Sequence, residues 1–180
     1  MHHSRMEVHM RTATFVLMLF VSALPAAAQS IITPPPAPSV ANLSGPRFGV
    51  TQLSDGVVAS LKEKYIEVGP TISQFGWQFE KQFYSNSGGA AVLNEWVVLI
   101  GGLDQGMALP SISWMVGVRT QNGTEFGVGP NITPAGVALA FAAGTTLRTG
   151  FLNVPVNFAV VPSRSGTRIS FLTGFSVRKP

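Results

Sequence analysis

Residues 72–85, reading Ile72-Ser73-Gln74-Phe75-Gly76-Trp77-Gln78-Phe79-Glu80-Lys81-Gln82-Phe83-Tyr84-Ser85, carry the pattern that decides the fold. In an extended chain successive side chains point to opposite faces. Phe75, Trp77, Phe79 and Phe83 therefore share one face, interrupted by Lys81 alone, while Gln74, Gly76, Gln78, Glu80 and Gln82 share the other. A period of two with one apolar and one polar side predicts a strand.

The same division recurs downstream. Ile112, Trp114, Val116 and Val118 oppose Ser113, Gly117 and Arg119, with Met115 the exception on the polar side. Val137, Leu139, Phe141, Ala143 and Leu147 oppose Ala138, Ala140, Ala142 and Gly144. Leu152, Val154, Val156, Phe158 and Val160 oppose Asn153, Pro155, Asn157 and Ala159. Ile169, Phe171, Phe175 and Val177 oppose Arg168, Ser170, Gly174, Ser176 and Arg178. Counting from Pro46, strands are predicted near 46–53, 72–85, 91–102, 111–120, 124–129, 137–148, 151–162 and 167–178, which makes eight. The third is apolar on both faces, which leaves its register open and a short helix as the alternative.

The turns test this pattern, because a slip of one residue would reverse every side chain. A three-residue loop at Gln121-Asn122-Gly123, ending in a left-handed glycine, sets Val118 against Phe126, Val116 against Val128 and Arg119 against Glu125. A two-residue Asn-Gly turn would pair apolar with polar positions. A two-residue turn at Thr149-Gly150 sets Leu147 beside Leu152, Phe141 beside Phe158, Leu139 beside Val160, and Gly144 opposite Pro155. Pro155 has no N–H for the ladder, which predicts a bulge or a local edge there. A four-residue loop from Ser163 to Gly166 brings Val160 against Ile169. Between the first two strands, Ser54 or Asp55 caps a short helix carrying Val57, Val58, Leu61 and Tyr65 on one side. It is either a loop helix packed on the sheet or an element that lies on a membrane or plugs the lumen.

Composition narrows the setting. Of the 180 residues 46% are hydrophobic and only 11% are charged, against about 25% charged in a soluble domain. The net charge of +4 arises from 12 basic and 8 acidic residues, a sparse charging that argues against nucleic-acid binding. At the N-terminus, Arg11, the apolar run Ala13 to Leu24 and Pro25-Ala26-Ala27-Ala28 have the form of a secretory signal, with cleavage predicted after Ala28. An uncleaved anchor is the alternative, and Met6 or Met10 are further candidate starts. Residues 29–45, rich in proline, read as a disordered tether, and 46–180 as the barrel domain.

The predicted connections alternate, short at Asn86 to Gly89, Gln121 to Gly123 and Thr149-Gly150, and longer at 54–71, 103–110 and around 130–136. That order, an even strand count and apolar faces of four or five residues per strand match outer-membrane barrels. The polar faces are rich in Gly, Ala, Ser, Asn and Gln, which suits a tight lumen. The predicted architecture is an all-β, antiparallel, up-and-down eight-stranded barrel with one short helix between its first two strands. In this pattern, residues 46–180 resemble the small eight-stranded outer-membrane barrels of the OmpX and OmpA transmembrane-domain kind. Members of those families typically end on an aromatic residue. Here Phe171 and Phe175 hold the alternation and Arg178-Lys179-Pro180 follows.

With the polar side inside, Glu80, Arg119, Glu125, Arg168 and Gln78 form a lumenal polar network, since isolated charges are not held away from water. The competing reading puts these charges at strand ends in solvent. Phe75, Trp77, Phe79, Trp114, Phe141, Phe158 and Phe171 then face lipid. The chain has no cysteine, and His2, His3 and His9 all precede the apolar run, so a processed chain holds neither base nor thiol for nucleophilic catalysis. Glu80, Glu95, Asp104 and Glu125 are the carboxylates open to hydrolytic chemistry, but they are scattered over separate segments. No catalytic, cofactor or metal site is predicted. The expected role is a non-enzymatic outer-membrane barrel with a side-chain-filled lumen, membrane lipid around it and a protein partner at the longer loops. The alternative is a soluble periplasmic barrel of the calycin type, with Phe75, Trp77, Phe79, Phe141 and Phe158 lining a cavity for a hydrophobic ligand. A two-sheet sandwich is a third.

Overall fold

The computed structural model describes residues 41–65, 68–86 and 88–177. The predicted signal at 1–28, residues 29–40 of the predicted tether, the three histidines and Arg178-Lys179-Pro180 lie outside the described residues. Eight strands follow one another: β1 (Gly45–Leu53), β2 (Thr71–Ser85), β3 (Ala91–Gly101), β4 (Leu109–Arg119), β5 (Glu125–Thr133), β6 (Gly136–Thr149), β7 (Leu152–Ser163) and β8 (Gly166–Gly174). Helix α1 (Asp55–Lys62) joins β1 to β2. Each strand pairs antiparallel with its sequence neighbours and β1 also pairs with β8, so the sheet closes into an up-and-down barrel without free edges. Residues 176–177 pair with β7 in the register of β8, Leu152 opposite Val177 as Val156 is opposite Thr173. They continue β8 past a break that faces Pro155, whose missing N–H interrupts the ladder.

Alternation sorts the side chains as the pattern requires. Phe48, Phe75, Trp77, Phe79, Trp114, Phe141, Phe158 and Phe171 are outside and exposed, while Arg47, Gln78, Glu80, Arg119, Glu125 and Arg168 are inside and buried. β3 is a strand with a definite register, Trp96 opposite Phe79 and Trp114. The Trp96 and Trp114 rings stack outside at 6.1 Å, and Trp114 Nε1 donates to Asn94 Oδ1 at 2.6 Å. The β4–β5 hairpin pairs Val118 with Phe126, Val116 with Val128 and Arg119 with Glu125, around Gly123 at φ 86.

Other turns differ from the sequence reading. The β6–β7 turn is Gly150-Phe151, so Leu147 faces Val154, Phe141 faces Val160 and Pro155 faces Thr146 rather than Gly144. The shift is two residues, which leaves every side chain on its predicted face. Strand β5 runs on to Thr133, so the longer connection expected around 130–136 is only Pro134-Ala135. Pro130 there removes one ladder donor without ending the strand. The β7–β8 connection is Arg164-Ser165, within the predicted register. On the side away from the termini, only 54–70 and 102–108 are extended connections. In the second of these, Asp104 accepts from the hydroxyl and N–H of Ser73, which holds its carboxyl below the usual range.

Both barrel mouths are covered. Val57 and Leu61 of α1 pack with Leu53, Ile72 and Leu109, inward residues at the ends of β1, β2 and β4, so α1 lies over the loop-side mouth. Ser54 precedes the helix without a side-chain cap bond; its Oγ accepts from Thr167 N at 2.9 Å and ties the helix to β8. At the opposite mouth Leu43 is fully buried, Asn42 Nδ2 donates to Glu80 O at 3.3 Å and Ser176 Oγ donates to Asn42 O at 3.2 Å. Residues 41–45, assigned to the tether by composition, thus cross this mouth and enter β1.

Strand glycines permit close approach where a side chain would not fit. A Cβ on Gly129 would overlap the carbonyl oxygen of Trp114. Gly129→Ala is expected to lower unfolding stability by about 1–3 kcal/mol, read as a lower urea midpoint for the barrel folded in lipid vesicles.

Candidate functional site in the barrel lumen

The inward face carries two polar groups separated by a cavity. At the terminal side, Arg119 of β4 is 1% exposed and lies among three carboxylates from β2, β3 and β5. Its Nη1 and Nη2 donate to Glu80 Oε1 and Oε2 at 2.8 and 2.6 Å, and its Nε donates to Glu125 Oε2 at 2.8 Å. Glu95 Oε1 lies 3.5 Å from Nη2, and Ala41 O accepts from Nη1 at 2.9 Å. Arg47 Nε donates to Gln78 Oε1 at 2.9 Å, Gln78 Nε2 to Glu95 Oε1 at 2.8 Å, and Asn157 Nδ2 to Glu125. Charged and amide groups from six strands thereby bind one another, as burial of charge demands, with Asn157 Oδ1 left without a partner among the described residues.

Toward the loop side, Arg168 stands apart from that cluster. Its Nη1 donates to Thr133 Oγ1 at 2.7 Å and its Nη2 to Asn131 Oδ1 at 3.1 Å. Asn131 Nδ2 in turn donates to Ser111 Oγ and Ser113 Oγ, both at 2.9 Å. Between the two groups lies a cavity of about 110 Å³, so the lumen expected to be filled by its own side chains is not. The cause is the row Ala138, Ala140, Ala142 of β6 with Ala159 of β7, whose methyl groups do not reach across the barrel.

Of the residues expected in a lumenal network, Glu80, Arg119, Glu125 and Gln78 meet and Arg168 does not join them. Glu95, Arg47, Asn131 and Asn157 were missed. The parity that places Gln78 and Asn157 inward would also have flagged Arg47 and Asn131, whereas Glu95 lies on the strand whose register could not be read. Three of the carboxylates judged scattered converge, and Asp104 remains on its loop. The aromatic rings that a calycin-type carrier would gather around a ligand are 46–54% exposed on the outside, and the cavity has a different lining. Among the described residues no cluster of His, Cys, Asp and Glu suits a metal ion.

No protein-family model, curated protein or solved structure matches the chain.

Proposed function

We propose that this chain is a non-enzymatic outer-membrane barrel, exported by residues 1–28, that anchors a surface for interaction with other molecules. The observation that carries this reading is the apolar belt contributed by all eight strands, with rings such as Phe79 at 54% exposed. In water each large side chain so displayed, about half exposed, forfeits about half of the 1.5–3 kcal/mol of full burial, and a soluble protein confines such exposure to small patches. Lipid removes the penalty. Strands of 9 to 15 residues are long enough to cross the hydrocarbon when tilted. The inward carboxylates Glu80, Glu95 and Glu125 gather around Arg119, and outward Lys81 lies near the terminal end of β2, where a long side chain reaches the headgroups. The interaction surface is the α1 connection and the 102–108 loop, the two extended segments on the side away from the termini.

Fractionation tests the reading. The protein is expected in the outer-membrane fraction, released by detergent and not by osmotic shock, with faster gel migration before boiling than after. Release by osmotic shock alone would overturn it.

A further inference from the structure

The cavity is lined by donors on β4 and β8, by methyl groups on β6 and β7 between them, and by Arg47, Gln74, Gln78 and Glu95 on its remaining side. Arg168 is 5% exposed, lines the cavity and forms no ion pair among the described residues, where the ion pairs all belong to Arg119. Its Nε–H has no hydrogen-bond partner among the described residues. Ser111 and Ser113 also line the cavity. Their oxygens accept from Asn131, which leaves both hydroxyl protons free to donate, and neither has an acceptor among the described residues. Two hydroxyl donors and a cation without an ion pair therefore line this part of the cavity, while the one carboxylate that also lines it, Glu95, is engaged by Gln78 and Arg119. A buried charge in that condition costs free energy until a counter-charge arrives. Between these donors, Ala140, Ala142 and Ala159 of β6 and β7 present only methyl groups.

We propose that the barrel lumen is a binding site for a small monocarboxylate with a short apolar body, its carboxylate against Arg168, Ser111 and Ser113 and its hydrocarbon against the alanine wall. This goes beyond an anchoring role and does not depend on it. The charge of the site selects an anion, and one negative charge balances Arg168. The apolar wall disfavours a multiply charged anion such as phosphate, which would leave charge facing methyl groups. Size sets the upper limit: an apolar cavity of ~150 Å³ holds benzene, so about 110 Å³ accepts butyrate and excludes octanoate. Leu61 of α1 and the Pro134-Ala135 turn line the loop-side end of the cavity.

The test is a titration of the full chain, folded in non-ionic detergent micelles, with alanine methyl groups and arginine Nε labelled for NMR. Butyrate is expected to shift the Ala140, Ala142 and Ala159 methyl signals and the Arg168 Nε–H signal saturably. Butan-1-ol, which keeps the body and lacks the charge, is expected to bind at least about tenfold more weakly, the loss of a charge-assisted hydrogen bond. Arg168→Gln is expected to lose a similar factor for butyrate. Ala142→Leu, which fills the cavity and leaves Arg168 in place, is expected to abolish the shifts. Heat-modifiable migration reports whether each variant folds. If Arg168→Gln does not fold, the alcohol comparison on the unaltered chain and Ala142→Leu decide. No saturable shift with butyrate, equal binding of butan-1-ol, or undiminished binding in a folded Arg168→Gln would each overturn the proposal.

Discussion

Arg119→Met is expected to lower the unfolding free energy of the lipid-refolded barrel by about 3–5 kcal/mol, the cost of removing one partner from a buried ion cluster. Glu80, Glu95 and Glu125 all approach this guanidinium, and Arg47, the other cation on that side, makes its hydrogen bonds to Gln78 and to the carbonyls of Pro46 and Leu43. Methionine keeps the unbranched stem as far as the Nε position and removes the charge with its hydrogen bonds, so the loss is mainly that of the buried carboxylates' partner. Urea titration of tryptophan fluorescence reads it. In a double-mutant cycle with Glu80→Gln, the two changes are expected to couple by about 1 kcal/mol or more, since contacting charges are not additive. A midpoint unchanged by Arg119→Met would mean the cluster contributes nothing to holding the barrel closed.

Phe141→Arg is expected to cost about 2–4 kcal/mol when the barrel is folded into vesicles, the penalty for a cation on the lipid face near the bilayer midplane. Phe141 lies midway along β6, between Val128 and Val160, and its ring is half exposed. Gln52→Arg, outward near the loop end of β1, is the control, with an expected cost of about 0–1 kcal/mol. Equal urea midpoints for the two variants would show that the belt is not in hydrocarbon and would remove the main support for the membrane reading.

The charge cluster was half legible in advance. Arg119 and Glu125 are adjacent partners across a hairpin, and the requirement that Val118 and Phe126 share a face sets both at once. Glu80 follows from the parity of Phe79. Glu95 does not follow from either, because its strand is apolar on both sides and only pairing with Phe79 and Trp114 through Trp96 reveals which face is inward. Residues 41–44 read as tether because their sequence has no period; their order comes from the carbonyls and side chains they offer to Arg119, Arg47 and Glu80.

What the sequence by itself determined is the face on which each strand residue lies, and with it the all-β class, the strand count and the tight Gly123 hairpin. Side-chain alternation is a property of the extended backbone, so it can be read wherever polar and apolar residues take turns. Only the tertiary structure decided the β6–β7 register, which is displaced by two residues, because an even slip moves partners without moving any side chain to the other face. Closure of the sheet decided which inward residues meet across the lumen. It brought three carboxylates to Arg119 and left Arg168 beside a cavity, since contacts across a barrel depend on strand tilt and stagger, which no local pattern records.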